Sequence, residues 1–146
     1  MKVYLAGPLF SEAEREFNQR LKALLDREGY SVFLPQEDSN EKTPPHHHRQ
    51  KEKIFRENLR AIEECDLVVA VLDGSDADSG TAWEIGYASA IGKPVIGLKT
   101  DFRTLGPEGR VNLMIEQSIT RLCTTTDELV NGVQELKTLG SGESWI

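Results

Sequence analysis

The run Asp66-Leu-Val-Val-Ala-Val-Leu-Asp73 constrains the fold of this chain more than any other stretch. A nearly continuous, valine-rich segment has no polar side to show to water, so it predicts a strand buried on both faces, as in a parallel sheet. Parallel neighbours need crossovers long enough to hold a helix, and the flanking sequence supplies them. Lys2 to Ala6 reads as a first strand, broken by Gly7-Pro8. A helix capped by Ser11 runs to about Glu28, with Phe17, Leu21, Leu24 and Leu25 on one stripe, and Gly29 stops it. Ser31 to Leu34 reads as the second strand, ending at Pro35. Gln36 to Gln50 is polar, with two prolines and three histidines, and is expected to be a loop. A second helix spans about Lys51 to Glu64, with Ile54, Leu59 and Ile62 as its apolar side.

Beyond the central strand, Gly74 to Gly80 is a turn rich in Asp, Ser and Gly, and a helix from Thr81 to about Ile91 follows, closed by Gly92-Lys93. Pro94 to Leu98 is the fourth strand. After a turn around Asp101 to Gly109 come a short helix near Val111 to Gln117, a strand near Ile119 to Cys123, and a last helix from Thr126 to about Leu136. Strand and helix alternate throughout, which specifies an α/β three-layer sandwich with a five-stranded parallel sheet of flavodoxin-like or Rossmann-like topology. With 146 residues and no internal repeat, a single domain with one core is expected. Ligands of such sheets bind outside the carboxyl ends of the strands. That rule places Ala6–Phe10, Asp73–Gly80 and Lys99–Leu105 on one rim.

Composition narrows the function classes. A formal net charge of -7 argues against a general nucleic-acid binder, because phosphate backbones attract basic surfaces. A nucleoside carries no phosphate and stays open. No window approaches the roughly 20 apolar residues needed to span a bilayer. The opening MKVYLAGPLF is too short in its apolar part for a signal peptide, so a cytoplasmic protein with no membrane association is expected. Cys65 and Cys123 sit in or beside apolar runs and read as reduced, inert thiols. His46, His47 and His48 are neighbours that cannot easily face one ion together, and no Cys, Asp or Glu stands at a ligand spacing. No metal site and no cofactor are expected, and the histidine segment reads as a mobile loop able to cover a pocket.

The chemistry concentrates in Asp73 to Leu98. Glu84 has two readings. In the structural one it is a first-turn acid complementing the helix dipole, with Ser79 or Thr81 as cap. In the chemical one it points into the rim crevice, where the same dipole keeps it ionised as a carboxylate nucleophile must be. Asp78, six residues earlier, is suited to hold a substrate hydroxyl. Two carboxylates around a small sugar are the usual equipment for an oxocarbenium-like transition state. Tyr4 can donate its phenolic hydrogen to Glu84 and fix its orientation. Phe10 is the aromatic best placed against a base, whereas Trp83 and Trp145 have core or interface readings at least as good.

Tyr4-Leu-Ala-Gly7-Pro8-Leu-Phe10, Asp66-Leu-Val-Val-Ala, Asp78-Ser-Gly80-Thr-Ala-Trp-Glu84-Ile-Gly86-Tyr-Ala88 with Gly92-Lys93-Pro94-Val, and Asn112-Leu-Met114 together resemble the nucleoside 2-deoxyribosyltransferases. The resemblance runs from about Lys2 to Cys123. It implies a nucleophile at Glu84 that attacks C1' to form a covalent 2-deoxyribosyl ester, and an orienting tyrosine at Tyr4. It implies that Asp78 holds the sugar 5'-hydroxyl and that Asn112 reaches the same hydroxyl from a neighbouring subunit, so a homo-oligomer. Asn58, eight residues before Asp66, falls where some members carry an aspartate that contacts the base, which leaves purine or pyrimidine preference open. Gly7, Ser79, Gly80 and Met114, in the same motifs, are expected to line the substrate site. The expected partners are a deoxynucleoside and a free nucleobase.

Three other readings compete. The 2'-deoxynucleoside 5'-monophosphate N-hydrolases align with serines where this chain has Asp78 and Asn112. An aspartate there repels a phosphate dianion, which favours a free 5'-hydroxyl, although Ser79 next door keeps the question open. The phosphoribohydrolases that activate cytokinins carry a Gly-Gly-x-Gly-Thr-x-x-Glu motif echoed by Asp78 to Glu84, but the first glycines are missing. A non-catalytic nucleoside- or nucleotide-sensing module would keep the crevice and lose turnover; intact Tyr4, Asp78 and Glu84 argue against it.

Overall fold

A computed structural model describes residues 1–39 and 47–140 of the chain. Five strands, β1 (Lys2–Ala6), β2 (Ser31–Phe33), β3 (Leu67–Val71), β4 (Val95–Leu98) and β5 (Arg121–Cys123), pair in parallel in the order β2-β1-β3-β4-β5. This is the flavodoxin-like order, and the expected α/β sandwich is present. Among the described residues six α-helices accompany the sheet: α1 (Glu12–Arg27), α2 (Pro35–Asp38), α3 (His48–Glu64), α4 (Ser79–Ala90), α5 (Leu113–Ser118) and α6 (Thr126–Gly140). None of the helices among the described residues is long and apolar enough to cross a membrane.

Alternation along the strands sorts the core into two halves. In β1, Val3 and Leu5 join Leu21 and Leu25 of α1 on one face of the sheet, while Tyr4 and Ala6 join Ile62 of α3 and Ile85 and Ala88 of α4 on the other. In β3 every residue is buried, with Leu67, Val69 and Val71 on the first face and Val68 and Ala70 on the second. That is why its sequence shows no polar period: helices cover both sides. Each such aliphatic side chain contributes about 1.5–3 kcal/mol by leaving water, so the sheet's centre dominates the stability of the fold.

The segment Gln36 to Gln50 is not one loop. Pro35 opens the single-turn helix α2, which buries Gln36, and α3 begins at His48. Proline at a first helical position is pre-shaped for that turn, and four residues are too few to show a helical period. The imidazole Nδ1 of His47 caps α3, accepting from the Gln50 amide at 3.3 Å. His46 lies outside the described residues.

The direction of winding reverses between β1 and β3. From β1 the chain steps outward to β2, then returns to pair β3 on the other side of β1, with Tyr4 opposite Val68 and Ala6 opposite Ala70. The carboxyl ends of β1 and β3 therefore diverge into opposite crossovers and leave a crevice, the usual ligand position in an open parallel sheet. The turn after β3 leads straight into α4 at this position.

Candidate active site

The Tyr4 hydroxyl donates to Glu84 Oε1 at 2.5 Å, across 80 positions of sequence. Tyr4 is fully buried and stacks on Phe33 with ring centroids 5.6 Å apart, so its hydroxyl has a fixed origin. Glu84 is half-buried. A charge-assisted O–H···O bond of this length is short and directional, and it orients the carboxylate of a residue that lines the hollow between α3 and α4. Helix α4 begins at Ser79 rather than Thr81, which makes Glu84 its sixth residue. The dipole acts mainly within the first turn, so the first-turn reading of Glu84 is corrected: its orientation comes from Tyr4.

The cap of α4 is also corrected. Asp78, not Ser79 or Thr81, is the N-cap: its Oδ2 accepts from the Thr81 amide at 3.1 Å and lies 3.4 Å from the Thr81 hydroxyl. An aspartate is among the strongest caps, since it satisfies an end amide and complements the dipole. Its Oδ1 takes no hydrogen bond from the described residues and is available to a ligand. Asn112 has the same kind of position. It is the N-cap of α5, with Oδ1 accepting from the Met114 amide at 2.9 Å, and it does not line the hollow that holds Glu84.

That hollow, of about 410 Å³, opens between α3 and α4 and brings together Glu84, Gly80, Trp83, Asn58, Phe55 and Lys51. The size suits a small organic ligand. Lys51, Ile54, Phe55, Asn58, Leu59 and Ile62 all line it from α3 at helical spacing, so this face was legible as a stripe once a helix was placed there. Phe55 and Lys51 were nevertheless missed by sequence reasoning, which had no reason to prefer them over other surface residues. Trp83 is half-exposed, stacks on Tyr87 at 5.3 Å and meets Phe55 edge-on at 5.7 Å. A larger hollow of about 690 Å³ lies at the opposite end of the sheet, among Asp66, Lys93, Pro94 and Leu136, and contains none of the predicted site residues.

The remaining candidates are placed as follows. Gly7 is explained by packing, because a Cβ there would stand 3.1 Å from Val71 Cβ and 3.3 Å from Asn18 Oδ1. Phe10 lies on the rim but is 71% exposed, and it does not enter the Glu84 hollow. Ser79 is exposed at the start of α4, and Met114 is 72% exposed on α5. Cys65 and Cys123 are free and buried, and burial pushes both thiols up, away from the reactive thiolate. Among the described residues no His, Cys, Asp or Glu side chains gather in a metal-binding group.

One network on the rim had no sequence signal. Asp73 Oδ1 accepts from the Thr100 amide at 2.5 Å and the Asp101 amide at 3.1 Å, and its Oδ2 accepts from the Thr100 hydroxyl at 2.7 Å. In return Asp101 Oδ2 accepts from the Gly74 amide at 2.8 Å, and Lys99 Nζ donates to Asp101 Oδ1 at 2.7 Å. Burial alone would raise the Asp101 carboxyl, but hydrogen bonds from Lys99, the Gly74 amide and Arg103 outweigh it and hold it down at about 2. The connections after β3 and β4 are thus stitched to each other.

The fold is an open parallel α/β sheet in which a tyrosine-bound carboxylate lines a hollow of a size that suits a small organic ligand. The family model described as Nucleoside 2-deoxyribosyltransferase matches residues 3–130. The chain belongs to that family, and the resemblance read from its motifs holds. A protein of Thermofilum pendens provisionally named 2'-deoxynucleoside 5'-phosphate N-hydrolase 1 is 32% identical over 99 residues, which are 67% of each chain. The matched stretches of the curated relatives span only 51% to 67% of their own lengths. Among solved structures, the 2-deoxyribosyltransferase of the psychrotolerant bacterium Bacillus psychrosaccharolyticus superimposes with a TM-score of 0.77 at 26% identity, covering 88% of this chain and 90% of that one. A conserved protein of Enterococcus faecalis V583 gives 0.79 at 29% identity, with 92% and 98% covered.

Proposed function

We propose that this protein cleaves the N-glycosidic bond of 2'-deoxynucleosides and passes the 2-deoxyribosyl group to a second nucleobase through an ester on Glu84. The observation that carries the reading is the 2.5 Å hydrogen bond from buried Tyr4 to Glu84 Oε1 beside the hollow. With Oε1 held, Oε2 attacks C1'. The C1'–N bond breaks, its electron pair leaves with the base, and the base takes a proton. A second base then attacks C1' through a ring nitrogen, the ester C–O bond breaks, the base gives up its N–H proton to solvent, and Glu84 is restored as a carboxylate. The 2'-deoxy sugar suits this route, because without an electron-withdrawing 2'-hydroxyl its oxocarbenium-like transition state is less costly. Asn58 can hydrogen-bond a base but cannot give it a proton, so the base proton comes from solvent.

Asp78 Oδ1, the carboxylate oxygen its capping role leaves over, is the acceptor for the sugar 5'-hydroxyl. Asn112 completes the site of a neighbouring copy, and the exposed Leu113 and Met114 beside it on α5 are the matching contact surface. The protein acts on small molecules inside the cell. Hydrolysis of a 5'-monophosphate is the second reading, and the name of the Thermofilum relative favours it. Asp78 opposes it, since a carboxylate and a phosphate dianion repel one another in a poorly solvated crevice.

Incubation with deoxyinosine, with and without adenine or cytosine, separates the readings. A new deoxynucleoside that appears only with acceptor base, and disappears in Glu84→Ala, is the expected result. Free base and sugar without exchange would make it a hydrolase, and deoxynucleoside monophosphates as the better substrates would establish the second reading. Turnover undiminished in Glu84→Ala would refute the assignment of the nucleophile.

A further inference from the structure

Lys99, at the residue after β4, is 1% exposed and belongs to none of the groups assigned to the reaction. Its three ammonium hydrogens are all spoken for: Nζ donates to Gly74 O at 2.7 Å, to Asp101 Oδ1 at 2.7 Å and to Leu72 O at 3.3 Å. Leu72 and Gly74 are where the chain leaves the sheet, beyond the last β3–β4 pairing, and Lys99 supplies a donor to the buried Leu72 carbonyl and the partly buried Gly74 carbonyl. The partner Asp101 takes the Gly74 amide, so both backbone polar groups of Gly74 are held by one ion pair. Gly74 itself has φ of +121°, a conformation that turns the chain sharply and that only glycine adopts cheaply.

The geometry points to Lys99 as a positioning residue that fixes the turn from Asp73 to Asp78, and so sets Asp78 Oδ1 and the start of α4 against the substrate sugar. Three residues separate the clamp at Gly74 from the cap at Asp78, and the second end of the turn is fixed by that cap on Thr81. Helix α4 fixes the spacing of Asp78 and Glu84, and with both ends of the turn held the backbone that leads into the cap has one course beside them. A buried ammonium is a costly way to satisfy two carbonyls, and its charge is matched by Asp101, which holds the same turn. The cost is explained if the turn must be rigid. Lys99 touches neither substrate nor Glu84, so it acts through Asp78. This rests on the deoxynucleoside reading above, with Asp78 as the ligand of the 5'-hydroxyl.

The test compares the native protein with Lys99→Met and Asp101→Asn on two substrates, a 2'-deoxynucleoside and its 2',5'-dideoxy analogue. The ratio of their kcat/KM values does not depend on how much protein is folded. A hydrogen bond to a charged group predicts a native ratio of roughly 10 to 100. The ratio falls towards one in Lys99→Met and to an intermediate value in Asp101→Asn, with the analogue's own kcat/KM little changed. A ratio that stays at the native value while only stability drops would overturn the inference, as would a native ratio near one. Should Lys99→Met fail to fold, Asp101→Asn decides. If the native protein turns over neither substrate, the functional reading fails by itself, and amide hydrogen exchange then decides the positioning. Faster exchange confined to residues 74–78 supports it; uniform loosening, or none, refutes it.

Discussion

At the scale of single residues, the chemistry of this chain reduces to how Tyr4 and Glu84 meet. The tyrosine ring is locked by burial and by its stack on Phe33, so the hydroxyl reaches Glu84 without searching rotamers. Tyr4→Phe keeps that packing and removes one hydrogen bond to a carboxylate, so a drop in kcat of roughly 10- to 100-fold with little change in KM is expected. Steady-state kinetics of that variant with a deoxynucleoside and an acceptor base measure it. The pairing was legible in the sequence because tyrosine on the first strand and glutamate after the third both point to the switch point. The cap was not legible: Asp78, Ser79 and Thr81 all suit an N-cap by type, and only the backbone decides among them. Gly7 carried a motif but owes its place to Val71 and Asn18, which no local pattern reveals.

At the scale of elements, the strands were readable almost to the residue. Lys2 to Ala6 coincides with β1, and the Asp66 to Asp73 run contains β3, Leu67–Val71, with one or two residues over at each end. Buried parallel strands announce themselves because both faces must be apolar. The stretch before α3 was misread because α2 is a single turn and α3 is capped by a histidine, outside the common cap set. The stitching of the two rim connections by Asp73, Lys99 and Asp101 was also hidden, since it pairs residues about 27 positions apart with no periodic signal. It makes a prediction about acid stability. Asp101 has its folded pKa depressed to about 2, so its contribution to stability is present above the ordinary carboxylate range and is lost as pH falls through that range to about 2. Urea unfolding from pH 5 to 2 is expected to show a loss of stability that is smaller in Asp101→Asn. An identical loss in the variant would mean that Asp101 contributes no linkage.

At the scale of the whole molecule, the sheet order puts Tyr4, the β3 turn and α4 around one crevice, while Asn112 caps a different helix outside the Glu84 hollow. Leu113 and Met114 stand exposed beside it. A site shared between copies follows from the functional reading, and it can be tested by mixing. Glu84→Ala and Asn112→Ala are each expected to lose most exchange activity alone, and a mixture reassembled from dissociated subunits recovers part of it. Recovery occurs because one kind of mixed site holds both native residues. No recovery in a mixture verified to contain hybrid oligomers would mean that each subunit works with its own Asn112 or without it.

The central claim is that Glu84 carries the sugar. The most direct measurement incubates the protein with a deoxynucleoside and no acceptor base, quenches with acid, and maps the peptides by mass spectrometry. The account predicts that the peptide containing Glu84 gains the mass of one 2-deoxyribosyl group, with fragmentation placing it on that side chain, and that addition of a base before the quench removes it. A sugar found on any other residue, or no modified peptide from a sample that exchanges bases, would contradict it.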